Sequence, residues 1–349
     1  MTGTSHTALP PVALPKRPTA HRSTAGYVLR RCGYFVVVVF SVYTLSFFLL
    51  YALPSDPVAL MLERRSAGAG GGTPQQVQAL REQYGLDRPL LIRYVETLGQ
   101  LLRGDPGTSF QSGRPAARTI AAVAPNTLGL AAAALAVAVP FSLALALVTS
   151  WRRDSAVHRI LVNVPAVVAA VPAFWLGLLL LQLFSFTLGW VPSAGGSGPA
   201  ALVLPAVALA LPVSASLTAV LVRSLDEVGQ AEFVELLRAR GLPWGRVYVV
   251  HVARNALLPF VTLTGLTVGG VLVGTVITET VFARAGLGRL LASSVETQDA
   301  PVILTISVLA ALVFAATNLA VDLLYPVLDP RTRRPSGRQS GRQSKGVRA

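Results

Sequence analysis

The residues of this chain able to do chemistry are few, and their spacing assigns them little of it. The four histidines are His6, His21, His158 and His251, and the one cysteine is Cys32. A metal site needs several imidazole or thiolate ligands together, and a serine-type intramembrane hydrolase needs a histidine beside a serine within an apolar span. All four histidines fall in polar tails or short polar segments, so neither chemistry has its side chains. A single cysteine makes no internal disulfide. Lys16 is followed by Arg17 and Lys345 by Gly346, so no Gly-Lys-Ser/Thr phosphate loop exists. Any nucleotide-driven step must therefore belong to another polypeptide. Two carboxylates remain inside long apolar runs, Glu279 and Asp322. Such charges are functional candidates by default, as proton relays or as pathway and hinge groups. Glu279 lies near one end of its run and Asp322 near the opposite membrane face, which speaks against an aspartyl-type catalytic pair. The expectation is no catalytic residue, no cofactor and no metal.

The other distinctive stretch is short and polar: Glu232, Phe233, Val234, Glu235, Leu236, Leu237, Arg238, Ala239, Arg240 and Gly241. It follows sixty-three residues without a charge, Ile160 to Val222, and precedes an apolar run opening at Ala256. Phe233, Leu236 and Leu237 fall at helical spacing and predict one apolar edge. Glu232 and Glu235 in the first turn and Arg238 and Arg240 in the last complement the helix dipole. Gly241 is placed for a left-handed C-terminal cap, and Pro243 forbids continuation. A helix this short gains little from its own hydrogen bonds, so other protein must hold it.

The elements that position these residues are membrane spans. Hydrophobic residues make up 52% of the chain and charged residues 13%, and mean hydropathy is +0.58. Six runs reach the roughly twenty residues needed to cross a bilayer: Gly33–Leu53, Val123–Ser150, Ile160–Leu188, Ala201–Val222, Ala256–Phe282 and Val302–Leu328. The first lacks a small-residue cleavage site and reads as an anchor. The fold class expected is all-α, a polytopic bundle of about six transmembrane helices. Of the 30 Lys and Arg, twenty fall in the tails and in the segments between spans two and three and spans four and five. Eight of the other ten lie in the loop 54–122, and loops of that length cross a membrane largely regardless of charge. Both termini are therefore expected in the cytoplasm. The net charge of +14 is accounted for by that bias and by anionic lipid, and nucleic acid is not an expected partner.

Residues 1–26 and 332–349 read as disordered tails, the second basic and carrying Ser-Gly-Arg-Gln twice. The loop 54–122 is expected outside and partly helical. Thr73-Pro74-Gln75-Gln76 predicts a capped helix start ending at Gly85. A second helix from Pro89 to Gly104 carries an apolar stripe of Leu91, Tyr94, Val95, Leu98, Leu101 and Leu102, to be covered by the spans or by a docked protein.

In this setting the segment 229–243 resembles the coupling-helix signature of ABC importer permeases, nearest to the peptide/nickel branch. That signature reads acid-aromatic-Val-x-x-Ala-Arg-Ala-Lys/Arg-Gly, and Leu237 replaces its usual Ala. Leu53-Pro-Ser-Asp-Pro57, Tyr84-Gly-Leu-Asp-Arg-Pro89, Val171-Pro-Ala-Phe-Trp-Leu-Gly177, His251-Val-Ala-Arg-Asn-Ala-Leu-Leu-Pro259, Glu279-Thr-Val-Phe282, Gly286-Leu-Gly288 and Asp322-Leu-Leu-Tyr325 extend the resemblance over 27–331. It implies a permease domain forming half of a translocation pathway in a bacterial inner membrane. Its implied partners are a second and usually different permease, two ATP-binding cassette ATPase subunits, an extracytoplasmic substrate-binding protein, and lipid. Glu232–Gly241 would couple to the ATPase, with Phe233, Leu236 and Leu237 as its apolar contact. Arg284, Arg289, Glu296 and Asp299 would meet the binding protein. Glu279 would have a hydrogen-bonding or pathway role, and Asp322 would pair with a cytoplasmic Arg or cap backbone. Peptides are the favoured cargo of a branch that also carries nickel, opine-type metal chelates and glutathione. The alternative is an ion-gradient-driven secondary transporter using Glu279 and Asp322.

Overall fold

The computed structural model describes residues 24–52, 73–83, 87–151, 156–192, 195 and 198–328. Residues 1–23 of the expected tail 1–26, the expected tail 332–349, the motif at Leu53–Pro57 and the helix stop at Gly85 lie outside the described residues, whereas residues 24–26 are helical. Among the described residues the regular structure is helical, apart from an isolated antiparallel bridge between Thr108 and Pro115.

The long helices are α1 (Thr24–Ala52), α4 (Ala116–Trp151), α8 (Ala200–Gly229), α11 (Arg254–Val281) and α13 (Ala300–Leu328). Short ones lie between them: α2 (Pro74–Gln83), α3 (Leu90–Leu102), α5 (Ala156–Leu161), α6 (Val164–Ala170), α7 (Ala173–Leu180), α9 (Glu232–Ala239), α10 (Trp244–Arg246) and α12 (Leu287–Glu296). Five stretches are long and apolar enough to cross a membrane: Val28–Tyr51, Ala116–Trp151, Ala200–Gly229, Trp244–Val281 and Ala300–Leu323.

The third expected span, continuous from Ile160 to Leu188, is instead broken. Its halves His158–Val168 and Ala173–Thr187 meet at 105°. Val171 at the break is extended, because the ring of Pro172 disfavours a helical conformation in the residue before it. The count among the described residues is thus five spans, or six with the bent pair as one. Two boundaries also move. Helix α4 begins at Ala116, inside the expected outer loop, and α10 with the π-helical turn Val247–Ala253 carries the fifth span down to Trp244.

Helix α8 is the hub, packing on α4, α6, α7 and α11. On α4 the residues Leu130, Ala134, Ala138, Ser142 and Ala146 recur every fourth position and are all buried. Facing them on α8 are Ala206, Leu209 and Ala210. Lipid tails are as apolar as leucine, so small side chains that allow close backbone approach supply the association energy. The same logic operates between α11 and α13. A Cβ at Gly269 would collide with the Phe314 ring, and one at Gly265 with the Val321 side chain. Pro125, Pro140, Pro205, Pro212 and Pro259 lie within these helices, as expected of spans whose neighbours compensate for the missing donors.

Between α1 and α4 the capped helix start predicted at Thr73 is present. The Thr73 N–H donates to Gln76 Oε1 at 3.0 Å and the Gln76 N–H to Thr73 Oγ1 at 3.4 Å, a reciprocal capping box with Pro74 at the first helical position. On α3, Tyr94, Leu98 and Leu101 pack against a cluster of Tyr43, Phe47, Leu304 and Val308 from α1 and α13.

Candidate functional site

Helix α9 ends as its residues dictate. Gly241 has φ +82°, its N–H donates to Arg238 O at 2.9 Å, and the Leu242 N–H donates to Leu237 O at 3.3 Å. These two bonds form a Schellman closure, in which the left-handed residue costs an ordinary side chain about 1–2 kcal/mol. Arg240 is the C-cap, one place beyond the last helical residue.

The apolar edge expected of Phe233, Leu236 and Leu237 is divided. Val234, only 2% exposed, and Leu237 turn inward onto Leu221, Leu225, Val247 and Tyr248. Phe233 and Leu236 stay 39% and 54% exposed. The reason is that α9 leaves α8 after only two residues and must lie flat on the bundle's end. Residues 234 and 237, one turn apart, then face the protein, and 233 and 236 face away. Burying Val234 contributes about 1.5–3 kcal/mol and the half-buried Leu237 adds a smaller share, enough to hold a helix too short to persist alone. The expectation missed the inward role of Val234 because two apolar edges one residue apart look alike on a helical wheel.

An aromatic group continues this anchorage. Arg238 lies over the Trp244 ring at 5.5 Å, Trp244 meets Tyr248 at 5.7 Å, and Tyr248 meets Trp151 edge-on at 5.1 Å. The Tyr248 hydroxyl donates to Leu147 O at 3.1 Å. These contacts join α9 to the end of α4 and the foot of the fifth span. Glu232, Glu235, Ala239 and Arg240 are exposed around the free face.

At the opposite end Glu279 is fully buried and its oxygens are occupied. Thr127 Oγ1 donates to Oε1 at 2.6 Å, and the N–H groups of Gly288 and Arg289 donate to Oε2 at 2.8 and 3.2 Å. Leu287 N–H in turn donates to Thr127 Oγ1 at 2.7 Å. The carboxylate thus serves as an N-terminal cap for α12, supplied from eight residues upstream, where the helix dipole favours negative charge. A Cβ at Gly286 would collide with this carboxylate and one at Gly288 with the Val276 backbone, so both glycines make room. The pairing of Glu279 with Gly286-Leu-Gly288 in the sequence acquires a single physical cause.

Asp322 is paired with Arg31 of α1 at 2.9 Å. Among the described residues the two intramembrane acids thus have separate partners on separate helices.

Of the four residues expected to meet a binding protein, Asp299 does not lie on the rim. It is 2% exposed and accepts from Ser109 Oγ at 2.5 Å and from the N–H groups of Phe110 and Gln111 at 3.1 and 3.4 Å. It straps the turn before α4 onto the start of α13, because three donors on that turn require an acceptor once buried. Removing it in Asp299→Ala should speed amide exchange at Phe110 and Gln111 by at least about tenfold, roughly 1.4 kcal/mol; unchanged exchange would mean that the strap holds nothing. Arg284 is half-buried, Arg289 reaches back to Ala283 O at 2.6 Å, and Glu296 is exposed.

A bundle of this build, with its two intramembrane acids partnered within it and an amphipathic stub held on one side only, has the form of a membrane permease. The descriptions of known proteins agree. Residues 138–334 match the binding-protein-dependent transport system inner membrane component, and residues 25–131 match the N-terminal membrane component of such systems. A putative peptide transport system permease protein of Brucella abortus is 33% identical, over 88% of this chain and 98% of its own. The glutathione transport system permease protein GsiC of Pectobacterium atrosepticum is 35% identical over 88% and 98%. The oligopeptide transport system permease protein AppB of Bacillus subtilis is 33% identical over 88% and 99%. The chain belongs to the family of inner-membrane components of binding-protein-dependent transport systems. It is a multi-pass permease subunit of an ABC importer, working with the other components of that system, and not an enzyme.

Proposed function

We propose that the chain is one half of an ATP-driven import pore, with both termini cytoplasmic, and that α9 is the handle gripped by an ATPase subunit. The division of α9 into an inward pair, Val234 and Leu237, and an outward pair, Phe233 and Leu236, carries this reading. A segment made only to close its own bundle has no use for two large bare apolar side chains between an acidic first turn and a basic C-cap. Closure of the ATPase pair moves α9, and the Trp244–Tyr248–Trp151 contacts pass that movement to α4 and the fifth span, rocking the spans between discrete packings.

Residues 27–331 form the permease domain, a second and different permease completes the pore, and the loop 54–122 with Arg284, Arg289 and Glu296 faces the binding protein. The cargo is a peptide, a reading supported by the peptide, oligopeptide and glutathione systems to which the similar proteins belong. The test is co-purification with the ATPase subunits and peptide uptake into vesicles containing the whole assembly. Phe233→Asp with Leu236→Asp should abolish both while the permease still inserts. Full co-purification would refute the handle, and uptake driven by an ion gradient without nucleotide would return the secondary-transporter reading.

A further inference from the structure

Helix α3 presents three faces, and among the described residues two of them have partners. Tyr94, Leu98 and Leu101 turn to α1 and α13. Glu96 and Gln100 are exposed on a polar face with Arg93, and Glu96 pairs with Arg88. Between these faces Leu91, Val95 and Leu102 form a bare apolar stripe, 68%, 65% and 80% exposed. Successive stripes of a 3.6-residue helix lie about a third of a turn apart, so the bare stripe borders the bundle contact on one side.

The depth of α3 identifies what covers that stripe. The Tyr43 hydroxyl donates to Tyr94 O at 2.9 Å, and Thr44 Oγ1 lies 2.8 Å from the Tyr94 hydroxyl. Tyr43 and Thr44 lie seven or eight residues before Tyr51, the last residue of the membrane-crossing stretch Val28–Tyr51, about 10–12 Å along its axis. Half of a hydrocarbon core is about 15 Å, so the flank of α3 lies below the headgroups. Residues 40, 44, 48 and 51 form one stripe of α1. Phe48 and Thr44 on it contact Tyr94, and Tyr51 underlies Arg93 at 4.0 Å. Phe40, one turn deeper and beyond the reach of α3, is 50% exposed. Leu45 and Leu49 on the next face of α1 are also bare. Among the described residues α1 packs along its length on α13 and meets α3 near one end, and the apolar circumference left bare by these two is available to lipid.

We propose that α3 is an interfacial helix, lying in the leaflet at the outer end of α1 with Leu91, Val95 and Leu102 in contact with acyl chains. Its underside continues the lipid-facing surface of α1, and Glu96 and Gln100 point to water, the arrangement that holds an amphipathic helix in the plane of a membrane. The loop that must receive a binding protein thereby rests on the bilayer as well as on the bundle. The outer leaflet is named from the orientation proposed above, and the contact itself is independent of it.

The test is spin labelling of the assembled importer in nanodiscs, where both sides are open to reagent. In a Cys32→Ser background, single cysteines are introduced as Leu91→Cys, Val95→Cys, Leu102→Cys, Glu96→Cys and Gln100→Cys. Collision with molecular oxygen, concentrated in lipid, is compared with collision with a water-soluble nickel chelate. The oxygen-to-nickel ratio should exceed one at 91, 95 and 102 and fall below one at 96 and 100. Two results would overturn the proposal: nickel access at 91, 95 and 102, which puts the stripe in water, or immobile labels shielded from both reagents, which puts it under another protein. Three stripe positions read independently, so failure of one variant to assemble leaves the outcome decided by the others.

Discussion

Gly241→Val should leave an importer that still hydrolyses ATP but no longer moves its cargo. The residue adopts φ +82°, and a Cβ there would meet open space, so the damage comes from the backbone alone. Left-handed conformation costs an L-residue about 1–2 kcal/mol, and a β-branched side chain is at the unfavourable end. That is comparable with the net worth of the two closing hydrogen bonds, about 0.5–1.5 kcal/mol each, so the bonds from Gly241 to Arg238 O and from Leu242 to Leu237 O should open. Helix α9 then stays attached to α8 at its start but loses its register on Trp244 and Tyr248. Uptake should fall at least about tenfold while insertion and ATPase binding persist, and Gly241→Asn should retain most activity because asparagine tolerates the left-handed region. Normal uptake by the valine variant would show that the turn transmits no motion.

The second large effect is expected at the other end of the molecule. Glu279→Ala should destabilise the permease by about 3 kcal/mol, since it deprives buried donors on Thr127, Gly288 and Arg289 of a charged acceptor. Thermal unfolding of the assembled importer reads this loss directly. Gly286→Ala should be damaging for the complementary reason, because its methyl group would occupy the space of the carboxylate. Gly286 has φ −168°, extended backbone open to any residue, so space and not conformation is what glycine supplies. The two substitutions must therefore couple. In the double variant the methyl group enters the space that the shortened side chain vacates, and the combined loss should fall short of the sum by at least about 1 kcal/mol. Strict additivity would break the link between the acid and the glycine. A proton-relay role for Glu279 predicts instead a normal melting temperature with pH-dependent transport.

Periodicity and composition determined the membrane class, the position of the long apolar helices, the capping box at Thr73 and the stop at Gly241. These depend on residues within a few positions of each other, where backbone sterics and local hydrogen bonds decide the outcome. For Asp322 the sequence left two outcomes open, an arginine partner or a backbone cap, because an acid in an apolar run must find a countercharge or a donor, and the fold sets it beside Arg31. What the sequence could not determine was which way a short helix lies and which distant donor meets which acid. Val234 and Phe233 differ by one position, and only the close exit from α8 chooses the one that turns inward. Asp299 looked like a surface charge until Ser109, almost two hundred residues earlier, was brought against it. The break at Pro172 depends on how the flanking halves pack. Local structure follows from neighbouring residues, but burial and partnership are properties of the folded bundle, because close packing joins residues that no short window of sequence contains.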